Sequence, residues 1–81
     1  MFYVIKKGKN DLTLFLIDRT KSKSKWWTTD LIDAMCFKKE SAARYSAARL
    51  KYGEIDVVSL EDARKIEDEN DYNIAMIEDF K

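Results

Sequence analysis

The sequence predicts an α+β domain: a three-stranded antiparallel sheet in the order 2-1-3, with helices packed on it in the chain order ββ(α)αβα. Three observations predict it. Two apolar runs, Phe2–Lys7 and Leu12–Asp18, flank the turn-forming stretch Gly8-Lys9-Asn10-Asp11, which is the pattern of a β-hairpin. The alanine-rich stretch Lys39–Tyr52 carries helical periodicity. A further run of β-formers, Glu54–Ser59, follows it at once.

The hairpin runs do not alternate. Phe2, Tyr3, Val4 and Ile5 point to both faces of a strand, and so do Leu14, Phe15, Leu16 and Ile17. Such strands need cover on both sides. Arg19–Lys25 is a polar, basic loop that runs into Trp26-Trp27. Thr28-Thr29-Asp30 supplies side-chain oxygens for orphan N–H groups and predicts the start of a short helical stretch over Leu31–Cys36, with Phe37 closing it against the core. In the helix Lys39–Tyr52, Ala43, Ala47 and Leu50 form one stripe, and Tyr45, Ala48 and Tyr52 an adjacent one. Gly53 suits the left-handed position just past a helix end. In the third strand, Ile55 and Val57 share a face. Connection rules place this strand beside the first.

Ser59 is the expected N-cap of the last helix, with Glu61 and Asp62 in its first turn, where the helix dipole favours acids. Ala63 and Ile66 carry its apolar face. Glu67-Asp68-Glu69-Asn70-Asp71 interrupts that face, and Asn70 or Asp71 offers a cap for a separate helix carrying Tyr72, Ile74, Ile77 and Phe80. One helix and two are both compatible with this pattern. The expected organisation is one domain, residues 1–81, with an acidic helical segment over 60–81.

Composition narrows the function. With 81 residues the chain has a small core, worth roughly 3–5 kcal/mol of net stability, and little packing to give up to a deep active site. There is no histidine, which removes the commonest general base and zinc ligand. Cys36 is the only cysteine, so no disulfide forms within the chain. Its apolar neighbours in Ala34-Met35-Cys36-Phe37 predict a buried thiol. Gly8 and Gly53 stand alone and build no phosphate-cradling loop. The acids of 67–71 lack the spacing and glycine of a calcium loop. The expectation is a protein that is not an enzyme and takes no cofactor or metal. No signal peptide and no membrane-length apolar run is recognised, so the cytoplasm is the expected location.

Charge is unevenly spread. Residues 1–25 carry a net +5, residues 26–53 a net +2 and residues 54–81 a net −7. Two binding surfaces follow. Carboxylates on a helix can imitate a row of phosphates and dock on a basic surface, with aromatics as anchors. Glu67, Asp68, Glu69, Asp71, Glu78 and Asp79, with Tyr72, Trp26 and Trp27, are the candidates. Alternatively, Lys6, Lys7, Lys9, Lys21, Lys23 and Lys25 could neutralise phosphates while Trp26 and Trp27 stack on bases. The overall neutrality weighs against a dedicated nucleic-acid binder. A homodimer through an uncovered apolar sheet face is the third option.

Tyr3-Val4-Ile5-Lys6, Trp27-Thr28, Asp30-Leu31, Asp33-Ala34, Phe37, Glu40, Ala43 and Ile55-Asp56-Val57-Val58 together resemble small uncharacterised phage-encoded accessory proteins, over about residues 2–60. In that group a hairpin leads to a W-T-x-D-L-x-x-A-x-x-F segment, an alanine-rich helix and a closing strand. The resemblance implies stoichiometric binding that disables a host protein, including nuclease-based defence machinery. A host or defence protein with a basic surface is the expected partner, met in the host cytoplasm.

Overall fold

The computed structural model describes residues 1–50 and 54–79. Strand β1 spans Phe2–Lys7, β2 Thr13–Leu16, β3 Trp27–Thr28 and β4 Ile55–Ser59; helix α1 spans Glu40–Arg49 and α2 Leu60–Asp79. A single 3₁₀ turn occupies Leu31–Asp33. The sheet is antiparallel throughout, in the order β3-β2-β1-β4. The three strands expected from sequence lie in the expected relative order. The strand count is corrected from three to four, because Trp27–Thr28 pairs with Leu16 and Phe15 at the outer edge of β2. On the sequence alone, Trp27 follows the basic loop and Thr28 belongs to a helix start. Instead the unpaired backbone of β2 recruits them.

The β1–β2 turn takes its shape from two residues with positive φ, Asn10 at 58° and Asp11 at 62°. These are the φ signs of a type I′ turn, whose twist matches that of a hairpin. Leu12 N–H closes it on the Lys9 carbonyl at 3.1 Å. Gly8 does not supply the left-handed residue. A Cβ there would lie 3.1 Å from the Leu14 side chain, so a larger residue would require that side chain to shift by a few tenths of an ångström.

Beyond Ile5 and Phe15 the two hairpin strands no longer pair with each other. Residues 33–37 stitch them together instead. Met35 N–H donates to the Leu16 carbonyl at 2.8 Å, and Asp18 N–H donates to the Asp33 carbonyl at 2.9 Å. Phe37 and Phe2 exchange both of their backbone hydrogen bonds, at 2.7 and 2.9 Å. The helical stretch expected over 31–36 is therefore one 3₁₀ turn followed by extended chain. Extension alternates the side chains, so Met35 and Phe37 enter one core cluster, Ala34 enters the other and Cys36 is exposed. The buried thiol expected from its neighbours is thus corrected.

Both sheet faces are covered. On one, Val4, Leu16, Ile55, Val57 and Trp27 pack against Ala43, Ala47 and Leu50 of the α1 region. On the other, Tyr3, Phe15, Ile5 and Val58 pack against Leu60, Ala63 and Ile66 of α2. Full burial of a large apolar side chain such as Phe15 or Val4 contributes about 1.5–3 kcal/mol. Ala43 and Ala63 have no exposed surface, and their small size lets each helix approach the sheet. The stripe Ala43, Ala47, Leu50 is as the sequence predicts. Helix α1 ends earlier than 52, because Leu50 is extended (φ −86°, ψ 127°) and turns into the core. Tyr52, Gly53 and Phe80 lie outside the described residues.

Helix α2 is one continuous helix of 20 residues, which decides between one and two. Ser59 caps it, its Oγ accepting from Asp62 N–H at 3.3 Å. β4 is an edge strand, and there the Val57 N–H is taken by its neighbour's carboxylate, Asp56 Oδ1, at 2.8 Å. A charge at that point discourages another strand from pairing.

Candidate functional site

The residues that interrupt the apolar pattern of α2 divide into an inner and an outer row. A helix turns 100° per residue, so positions three apart share a face. Glu67, Asn70 and Asn73 form the inner row. Glu67 Oε2 accepts from Leu31 N–H at 2.6 Å and so caps the 3₁₀ turn, a task that Asp30 does not perform with its side chain. Asn70 is only 1% exposed, and it binds the backbone of Thr13 twice. Thr13 N–H donates to Asn70 Oδ1 at 2.9 Å, and Asn70 Nδ2 donates to the Thr13 carbonyl at 2.7 Å. The amide thus takes the place of a neighbouring strand where β3 no longer runs beside β2. Asn73 Nδ2 reaches the Asp11 carbonyl at 3.3 Å.

The outer row faces away from the sheet. Asp68 and Tyr72 are exposed there, with Glu69 and Asp71 exposed on opposite flanks of the helix and Glu61 and Asp62 exposed one and a half turns earlier. Arg64 and Lys65 separate the two acidic groups. Asp68, Glu69, Tyr72 and Asn73 line an open recess of about 340 Å³. Tyr72 is 65% exposed and Met76 41% exposed, which gives this face two apolar anchors. Glu69 also borders a cleft of about 460 Å³ at the open end of the sheet, lined by Lys7, Thr13, Asp56 and Ile66 among others. Glu78 and Asp79 close the last turn of α2, and their side chains lie outside the described set.

The tryptophans do not join this surface. Trp27 packs in the α1-side cluster, with the Lys6 ammonium 4.6 Å from its ring centre. Trp26 is exposed beside Leu50 and Arg49 on the same side of the sheet. The expected anchor set is therefore split, with Tyr72 beside the acids and both indoles across the sheet from them. The lysines are also scattered. Lys6 lies over Trp27, Lys7 borders the Glu69 cleft and Lys9 sits in the hairpin turn. Lys21 donates its ammonium to the Ile32 carbonyl. Lys23 and Lys25 remain in the exposed loop.

Two groups have shifted ionisation. Tyr3 is raised above its usual value, first by burial, then by a hydrogen bond to Cys36, with Arg64 opposing. Asp18 is lowered, because its carboxylate accepts from the Thr20 backbone and hydroxyl at 3.0 and 2.9 Å. Among the described residues no group of three or more Cys, Asp or Glu side chains converges as a metal site. No helix among them is long and apolar enough to cross a membrane.

Comparisons with protein-family models, with curated proteins and with solved structures found no match to this chain.

Proposed function

We propose that this protein acts by stoichiometric protein–protein binding through the outer face of α2. In this reading it is a phage-type accessory protein that occupies the basic surface of a host or defence protein in the host cytoplasm. The supporting observation is the division of α2 into two rows. Glu67, Asn70 and Asn73 are engaged by the fold, while Asp68, Glu69 and Asp71 are turned outward around Tyr72. The exposed acids Glu61, Asp62, Asp68, Glu69 and Asp71 span about 15 Å of helix axis, at about 1.5 Å per residue. They fall into two groups, Glu61 with Asp62 and Asp68 with Glu69 and Asp71, separated by Arg64 and Lys65. A protein surface built to hold phosphates would meet a dense group of carboxylates at residues 68–71. Tyr72 and Met76 add the apolar contact that charge alone lacks. Homodimerisation through a bare sheet face loses its basis, because helices cover both faces.

The test is affinity capture from host lysate with the wild-type chain and with Asp68→Asn/Glu69→Gln/Asp71→Asn, both checked for folding by circular dichroism. The expected result is a nucleic-acid-binding protein that the wild type retains and the variant loses. The wild-type chain also competes with DNA for that protein. Equal capture by the neutralised variant would remove the acidic face from the mechanism.

A further inference from the structure

Across the sheet from the acidic face, a groove of about 330 Å³ lies between the basic loop and the end of α1. Leu16, Ile17, Met35 and Leu50 make its apolar floor, and Arg19, Trp26, Ser46 and Arg49 make its rim. Trp26 is 46% exposed, although tryptophan has more apolar surface to bury than any other side chain. The Arg19 guanidinium lies 4.0 Å from the centre of its ring. Arg49 lies 5.8 Å from the ring of Tyr45, which is itself 68% exposed. Neither arginine has a carboxylate partner among the described residues, where the ion pair of α1 is Arg44 with Glu40. Two guanidinium groups and an accessible indole therefore converge on one apolar depression.

We infer that this groove binds single-stranded nucleic acid. One base enters against Trp26, and the flanking phosphates are held by Arg19 and Arg49. Three features favour this occupant. An indole stacks on any base, so it suits a strand read without sequence preference. Guanidinium forks bind phosphate oxygens in pairs. Lys23 and Lys25 lie in the exposed loop that borders the groove and extend the positive charge along a strand's path. The carbonyl end of α1 opposes an anion, but with only about half a unit of negative charge against two full positive ones. An acidic peptide would use the arginines and leave the indole without a role. This site is independent of α2, so it stands or falls separately from the protein partner proposed above.

The experiment is fluorescence anisotropy of a labelled oligothymidylate titrated with the intact chain, repeated over a series of salt concentrations. The expected result is binding at low salt that weakens roughly tenfold or more in Trp26→Ala. In Arg19→Gln/Arg49→Gln the expected slope of log K against log salt is shallower by about 1.4, at ~0.7 per phosphate contact. Arg64→Gln/Lys65→Gln, which removes the same charge from α2, is expected to bind like the wild type. All three variants change exposed side chains, and a denaturation curve for each separates lost binding from lost folding. Absence of binding at low salt would overturn the inference. So would equal weakening by the α2 control, or displacement of the oligonucleotide by polyglutamate at matched charge.

Discussion

Asn70 holds Thr13 by both of its backbone groups in a site that water does not reach. Truncation to alanine leaves a buried donor and a buried acceptor without partners, at about 1–3 kcal/mol each. Asn70→Ala is therefore expected to lose about 2–3 kcal/mol in urea denaturation, a large part of what a core this small supplies. Asn70→Asp keeps the acceptor for Thr13 N–H but sets a carboxylate oxygen against the Thr13 carbonyl. Its carboxyl is then raised by burial and repulsion, so the protonated form fits and the charged form does not. That variant is expected to be most stable at low pH and to weaken as pH rises through the raised value, which denaturation at several pH values would show. Tyr3 follows the same sign in the wild type. Its phenol is raised by burial and the Cys36 hydrogen bond, so its contribution is complete below the unfolded value near 10 and is lost as pH rises beyond it. Tyr3→Phe is expected to flatten the alkaline limb of the stability curve. Asp18 has the opposite sign. Its contribution is present above the unfolded value near 3.9 and is lost as pH falls through the lower folded value.

Each helix rests on the sheet through one fully buried alanine. Ala43→Leu and Ala63→Leu are expected to cost about 1–3 kcal/mol by overpacking, while Ala42→Leu and Ala48→Leu, at exposed positions, are expected to stay within about 0.5. Within α2, Glu67→Ala is expected to destabilise the fold, whereas Glu69→Ala leaves stability unchanged and weakens partner binding. Thermal denaturation beside a binding assay separates the two roles. The hairpin was legible from turn residues set between two apolar runs, and the third expected strand and the apolar stripe of α1 from patterns that are equally local. β3 was not, because two residues carry no period and their pairing depends on the edge that β2 happens to leave open. The extension of 34–37 was hidden for the same reason, since its hydrogen bonds go to residues near 2 and 17. The acidic run of α2 was legible as charge but not as two rows. Glu67 looks like its neighbours until its partner, 36 residues earlier in the chain, is in place. The groove at Trp26 was half legible: the indole and loop were visible, but Arg49 joins them only through the packing of α1.

The charge asymmetry of the chain becomes an asymmetry across the sheet. Acids crowd the outside of α2, and Arg19 and Arg49 lie on the α1 side. A whole layer separates the two sets, more than the screening length of about 10 Å at 0.1 M salt. They therefore contribute little to each other's stability. Sodium chloride is expected to move the denaturation midpoint by less than the equivalent of about 1 kcal/mol, the range of an exposed ion pair such as Glu40–Arg44. The same titration is expected to weaken binding at either face. A stability curve and a binding curve measured in parallel would show the contrast.

β1 is an inner strand of the sheet, and its second partner is β4, with Phe2 beside Ser59. During synthesis this orders events in time. The hairpin leaves the ribosome before β4, with apolar side chains on both faces and one edge of β1 open. At roughly 5–20 residues per second, several seconds pass before Ile55–Ser59 can close that edge and α2 can cover the face beyond it. A nascent chain halted before residue 55 would expose a sticky strand edge. The interval before β4 is made is thus the one in which the hairpin is most prone to pair with another chain.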